Sequence, residues 1–132
     1  MSKGGFQLGT GFPHEGFVQQ VLEEHFRRSG FVIRQAGDAD LDAYHPQLGS
    51  RWIIEAKGET SSTGLDFRTG LGQLLTRMAD PAVQYGLAVP DTPRFRTQLR
   101  TISPWVRKTL HLHWVLVGPD RSVRIYRAQD EV

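Results

Sequence analysis

Two short segments joined by a turn constrain this chain more than any other part of it. Residues 39–44, ADLDAY, and residues 51–58, RWIIEAKG, flank HPQLGS, where Pro46 and Gly49 mark a turn. The whole stretch reads as a β-hairpin. Side chains alternate across a strand, so Glu55 and Lys57 share one face while Ile54 and Ala56 point to the other. WIIEAKG is too apolar for a fully exposed strand, and its acid is expected to lie deep. Asp40 sits on the partner strand, where pairing can bring it beside Glu55.

The remaining elements arrange themselves around this hairpin. Pro13 stands where a first helical residue is expected, and Phe17, Val18, Val21, Leu22 and Phe26 follow at helical spacing. Gly30 closes that helix, and residues 31–35 read as a strand. Residues 58–66 form a polar loop and residues 67–78 a second helix, in spite of Gly70 and Gly72. YGLAVP (85–90) reads as a buried strand. Residues 94–109 look helical but interrupted by Pro104. Residues 111–118 and 122–128 form a second strand pair around GPDR. Helix, strand, hairpin, helix, strand, helix and strands make an α/β chain built on one mixed sheet.

With 132 residues, the chain has the size of one domain, and its first eleven residues are glycine-rich and expected to be mobile. No stretch approaches the roughly 20 apolar residues of a membrane helix, and the N-terminus lacks the apolar run of a signal peptide, so a cytoplasmic location is expected. Cysteine is absent, which excludes disulfides, thiolate metal sites and a cysteine nucleophile. Net charge is only +2, but it is unevenly spread: residues 1–66 carry nine acids and six bases, residues 94–127 eight bases and one acid. An acidic half beside a basic half suits a cation site next to a phosphate-holding surface; an ordinary solvated basic face is the plainer reading.

Two carboxylates brought together repel unless a cation lies between them, and hard carboxylate oxygens suit Mg²⁺ or Mn²⁺. A lysine beside such a pair can orient or help deprotonate an attacking water, or stabilise charge on a phosphate. These parts suit hydrolysis of a phosphodiester.

The run ADLDAYHPQLGSRWIIEAKGET resembles the core of the PD-(D/E)xK nuclease superfamily: an Asp, a spacer with a turn, then Glu-x-Lys at the end of an apolar strand. The resemblance extends over residues 13 to about 90 and implies a restriction-endonuclease-like fold, a mixed β-sheet flanked by helices. It implies that Asp40 and Glu55 are the two acids, that Lys57 is the lysine, and that Ala56 offers its backbone carbonyl to the metal. Glu15 matches an additional acid on the first helix of many members, and Gln73 the glutamine of the following helix in some branches. Ala39 stands where the nominal motif has proline.

Each assignment has a plainer rival. Asp38, Asp40 and Asp42 share a face if their strand is regular, and Asp42 is the alternative ligand. Glu55 and Lys57 can be an exposed ion pair, Glu15 a first-turn acid favoured by the helix dipole, and Gln73 a surface amide. Arg77, four residues after Gln73 and on its face, can reach a phosphate or merely be solvated, and the same holds for Arg94, Arg96 and Arg100. His111 and His113 would share a strand face, without a nearby acid to make a metal pair. Trp52, Trp105 and Trp114 suit core or interface positions.

The expectation is a Mg²⁺- or Mn²⁺-dependent deoxyribonuclease, endonuclease rather than exonuclease, and similar to small structure-selective members such as Holliday junction resolvases. The partners implied are DNA and a second copy of the chain, meeting near residues 112–117, or a larger complex. The alternatives are a catalytically inactive nucleic-acid-binding or assembly module with a nuclease-like fold, and a protein-interaction scaffold.

Overall fold

A computed structural model describes residues 11–38 and 40–132. Six strands form one sheet in the order β1-β2-β3-β4-β5-β6: β1 (Val32–Gly37), β2 (Asp40–His45), β3 (Ser50–Ala56), β4 (Gln84–Pro90), β5 (Leu112–Val117) and β6 (Val123–Tyr126). The β1–β2, β2–β3 and β5–β6 pairs are antiparallel, while β3–β4 and β4–β5 are parallel. Each parallel step needs a crossover. The first carries α2 (Thr63–Leu75), and the second carries α3 (Pro93–Leu99) and α4 (Pro104–Leu110).

The helix α1 (Glu15–Arg28) covers one face. Its buried residues Phe17, Val18, Val21, Leu22 and Phe26 pack on Leu41, Ala43, Trp52, Ile54 and Ala56. Its end is closed by a Schellman motif: Gly30 N–H donates to Arg27 O at 3.1 Å and Phe31 N–H to Phe26 O at 3.0 Å. Gly30 takes the required positive φ of 92°, and the Phe26 and Phe31 rings meet edge-on at 5.0 Å. The opposite face holds Phe67, Leu74, Phe95 and Leu99 of α2 and α3 against Tyr85, Leu87, Leu112, Trp114 and Leu116. This is the expected α/β, restriction-endonuclease-like arrangement of a mixed sheet flanked by helices.

Several boundaries differ from those expected. α1 starts at Glu15 after His14 as N-cap, so Pro13 precedes the helix rather than opening it. α2 starts at Thr63, taking in part of the polar loop, because Thr60 folds back and donates from its N–H and hydroxyl to Asp66 in the first turn, at 2.9 and 2.8 Å. α2 ends at Leu75, and Arg77 and Met78 follow in a tightened turn, donating to the carbonyls three residues back. Pro104 does not kink one helix; it opens the second, as Pro93 opens the first, both where a missing N–H costs nothing.

The expected dimer surface near residues 112–117 is not there. Every residue of β5 is buried, because its alternate side chains enter the cores on the two faces of the sheet, and β4 and β6 pair with both of its edges. Nor do His111 and His113 share a strand face. His111 is the left-handed residue that ends α4. His113 is buried in β5, with Nδ1 accepting from Ala128 N–H at 2.9 Å and Nε2 2.6 Å from Gln84 Oε1. Nδ1 as acceptor leaves the proton on Nε2, and burial lowers the pKa to about 4, so the imidazole is neutral. Residues 1–10 and Ala39 lie outside the described residues, as do the expectations placed on them. Among the described residues no helix is long and apolar enough to cross a membrane.

Candidate active site

Antiparallel pairing sets Asp40 directly opposite Glu55. Their strand neighbours Leu41, Ile54 and Ala56 pack under α1, so alternation turns both acids to the face that carries α2. They are 7% and 3% exposed. Asp42 lies two pairs further along, opposite Ile53, and Arg51 holds both of its oxygens, through Nε at 3.0 Å and Nη2 at 2.7 Å. Asp38 is in the turn between β1 and β2, with a φ of 51°, and not on the strand face with Asp40.

The acid pair is short of donors. Arg77 Nη2 bonds Asp40 Oδ2, but Asp40 Oδ1 is buried with no donor from the described residues. Burial pushes the Glu55 carboxyl from its ordinary 4.5 up to about 8. Asp40 adds to the rise by sharing the proton and by repulsion, and Lys57 and Arg77 oppose it without cancelling it. Two carboxylates, one of them protonated for want of positive charge, fit a hard divalent cation such as Mg²⁺ or Mn²⁺. Among the described residues no cluster of three or more Asp, Glu, His or Cys side chains could hold an ion. Asp40, Glu55 and the Ala56 carbonyl would therefore be the protein's share, and water the rest.

The raised Glu55 pKa has a consequence for stability. From pH 4.5 to about 8 the folded protein keeps a proton on Glu55 that the unfolded chain releases. The folded state binds more protons, so stability falls as pH rises through this window and levels off above it. Glu55→Gln removes that slope. In EDTA it is expected to match wild type near pH 4.5 and to exceed it by roughly 2 kcal/mol at pH 8, because each tenfold change in proton affinity is worth about 1.4 kcal/mol and solvent screening at the open side of the site takes back part of the full value. Denaturant unfolding at both pH values checks this; parallel pH profiles for the two proteins would rule it out.

Lys57 follows β3, and its N–H donates to Ala88 O at 2.9 Å, which extends the parallel ladder by one step. Its ammonium is 4.0 Å from Glu15 Oε1. Glu15, the first residue of α1, is brought there by close backbone packing. Glu59 N–H donates to Pro13 O at 2.9 Å, and a Cβ on Gly58 would fall 2.2 Å from Glu15 N. On the other side α2 crosses at Gly70, where a Cβ would fall 2.6 Å from Lys57 Cγ. Gln73 lies one turn further along α2, exposed, and Arg77 follows at the helix end. The structure thus brings Asp40, Glu55, Lys57, Glu15 and Arg77 together, with Ala56 between the two motif residues and Gln73 on the helix edge alongside.

Arg94, Arg96 and Arg100 belong to α3 and its C-terminal cap and are occupied differently. Arg96 grips Asp91 through Nε at 2.7 Å and Nη2 at 3.1 Å and reaches the Tyr126 hydroxyl at 3.3 Å, contacts that raise its pKa. Arg100 Nε donates to Val132 O at 2.9 Å. Arg94 makes a longer 3.3 Å bond to Ser61 O, in the loop before α2. Arg107, which charge counting placed in the basic half, is 3% exposed and donates to the carbonyls of Tyr126, Arg127 and Asp130. Much of the basic half therefore ties down β6 and the residues after it.

The sequence reading missed Gly58 and Gly70 as positioning residues. Only Gly70 carried a signal, a glycine inside a helix that disfavours it; Gly58, in the loop after β3, looks like any loop glycine.

No family model matches the sequence, and no curated protein matches it. Solved structures do share its fold. An XisH family protein from Nostoc punctiforme PCC 73102 superposes with a TM-score of 0.57 at 18% identity, over 81% of this chain and 95% of that one. An fdxN element excision controlling factor protein from Anabaena variabilis superposes with a TM-score of 0.60 at 17% identity, over 83% of this chain and 96% of that one. The chain has the fold of these two proteins across nearly their whole length.

Proposed function

We propose that this protein is a divalent-cation-dependent deoxyribonuclease that hydrolyses phosphodiester bonds in DNA. The observation that carries the reading is the buried Asp40–Glu55 pair set strand to strand, with one oxygen lacking a donor among the described residues and with Lys57 beside it. Asp40, Glu55 and the Ala56 carbonyl would hold Mg²⁺ or Mn²⁺, which supplies Lewis acidity and a more acidic bound water. Lys57 orients the attacking water and stabilises the charge that grows on the phosphoryl oxygens as the water–phosphorus bond forms and the phosphorus–leaving-oxygen bond breaks. Glu15 holds the Lys57 ammonium in place. Gln73, on the open edge of α2, orients water or substrate. Arg77 and Arg94 contact backbone phosphates, which positions the DNA without reading its sequence; Arg96 and Arg100 support α3 and join them where their own partners allow.

A second reading has specific support. One fold neighbour is named as an excision controlling factor, and the described residues supply only two side-chain ligands. Both suit a DNA-binding or assembly module that keeps the nuclease fold without cleavage. A panel of linear duplex, single strand, flap and four-way junction DNA, each with Mn²⁺ and with EDTA, separates the two. The nuclease reading expects cleavage of at least one substrate in Mn²⁺ and none in EDTA. Salt-sensitive binding to uncut DNA throughout would favour the second.

A further inference from the structure

We infer that Arg77 is an exchangeable stand-in cation for Asp40: it neutralises this acid until a divalent cation takes its place, and the released guanidinium then turns to the substrate phosphate. The inference rests on the reading of Asp40 and Glu55 as a cation site.

Two of the chain's ion pairs are forked. Arg51 meets Asp42 through two nitrogens, one on each carboxylate oxygen, and Arg96 meets Asp91 in the same forked way. That geometry matches the planar guanidinium to the carboxylate and is the strong form of the pair. Arg77 makes only a single contact, the form otherwise seen in the exposed Arg121–Glu24 pair. A single nitrogen, Nη2, contacts a single oxygen, Oδ2, and the buried Oδ1 of the same carboxylate takes nothing from a cationic side chain among the described residues. A guanidinium with five donors, next to an acid that needs another, gives it only one.

The two ends of the contact also differ in surroundings. The Asp40 side chain is 6% exposed, while that of Arg77 is 42% exposed. Arg77 sits in the turn beyond Leu75, the last residue of α2, so its long side chain can leave Asp40 for solvent without disturbing packing. Asp40 has no such freedom, because β1 and β3 pair with its strand on both sides. A divalent cation between Asp40 and Glu55 would bring two positive charges against the guanidinium at contact range. Like charges that close disfavour one another strongly in a buried site, so cation and guanidinium exclude each other at Asp40. Asp40 therefore pairs with the cation or with Arg77, while Lys57 stays beside Glu55, and cation binding itself delivers Arg77 to the substrate side. Gln73, one turn back on the same edge of α2, flanks the path.

Calorimetric titration with Mn²⁺, without DNA, tests this on wild type, Arg77→Gln and Arg77→Lys. Removing a competitor tightens binding, and Arg77→Gln is expected to bind Mn²⁺ about tenfold more tightly, within the usual 5–150-fold range of coupled sites. Arg77→Lys keeps a cation at this position and is expected to lie nearer wild type than Arg77→Gln. In fluorescence anisotropy with a duplex oligonucleotide, exchanging EDTA for Ca²⁺ is expected to strengthen DNA binding more in wild type than in Arg77→Gln. Equal or weaker Mn²⁺ affinity in Arg77→Gln would overturn the exchange while leaving the cation site standing. Should wild type, Asp40→Ala and Glu55→Ala all show the same Mn²⁺ titration, the cation site itself fails, and the exchange with it.

Discussion

Asp40→Ala and Glu55→Ala are each expected to lose Mn²⁺-dependent DNA cleavage by about 10³-fold or more, while Lys57→Ala loses about 10²-fold. The ranking follows from what each change removes. Either acid supplies half of the side-chain ligands among the described residues, and a catalytic cation is worth several kcal/mol, at about 1.4 kcal/mol per tenfold in rate. Lys57 contributes one positioned charge, worth less. The separating measurement is calorimetry: Mn²⁺ binding weakens strongly in both acid variants and persists in Lys57→Ala. An Asp40→Ala protein that binds Mn²⁺ and cuts like wild type would remove this pair from the chemistry. A Lys57→Ala protein with full turnover would leave Lys57 a purely structural neighbour of Glu15. Neither acid variant is expected to unfold, since each replaces an under-partnered carboxylate with a small apolar group on a strand held at both edges.

The parts of the fold that could be read in advance are those governed by local periodicity. The apolar stripe of α1 and the hairpin from Asp40 to Ala56 stand where the alternation placed them, because burial on one face leaves a pattern with period 3.6 or 2. The Asp40–Glu55 juxtaposition was legible for the same reason: a hairpin with one turn leaves few registers that keep Leu41, Ile54 and Ala56 together under α1. Charge counting says less than periodicity does. Eight bases between residues 94 and 127 read as a phosphate surface, yet Arg96 and Arg107 are committed to Asp91, Tyr126 and backbone carbonyls. Composition records a charge but not its partner, and a partner 20 or 30 residues away leaves no local trace. The expected dimer strand failed likewise. An apolar run cannot say whether its two faces will be covered within the chain or by a partner, and here both enter the chain's own cores.

The remaining large effect concerns two glycines that hold the site's spacing. Gly58→Ala is expected to destabilise the protein by roughly 1–3 kcal/mol or more, the cost of overpacking a filled site. The new methyl would sit 2.2 Å from Glu15 N and 2.7 Å from His14 C. Both are backbone atoms, so no side-chain rotation relieves the contact; the start of α1 must move, taking Glu15 away from Lys57. Gly70→Ala is expected to behave differently. An alanine inside a helix gains about 1 kcal/mol over glycine, but its methyl would meet Lys57 Cγ at 2.6 Å and Leu87 Cδ1 at 3.0 Å, and both of these are side-chain atoms. The fold can therefore survive with near wild-type stability while Lys57 is displaced, and cleavage is expected to fall toward the Lys57→Ala level. Gly72→Ala, two residues on, meets nothing within 4 Å and is expected to add about 0.5–1 kcal/mol with no loss of activity. Denaturant unfolding and cleavage rates on the three variants separate helix propensity from site geometry. Wild-type cleavage in Gly70→Ala would mean that Lys57 has room to shift without cost, and that the close crossing of α2 over β3 serves packing rather than the position of the lysine.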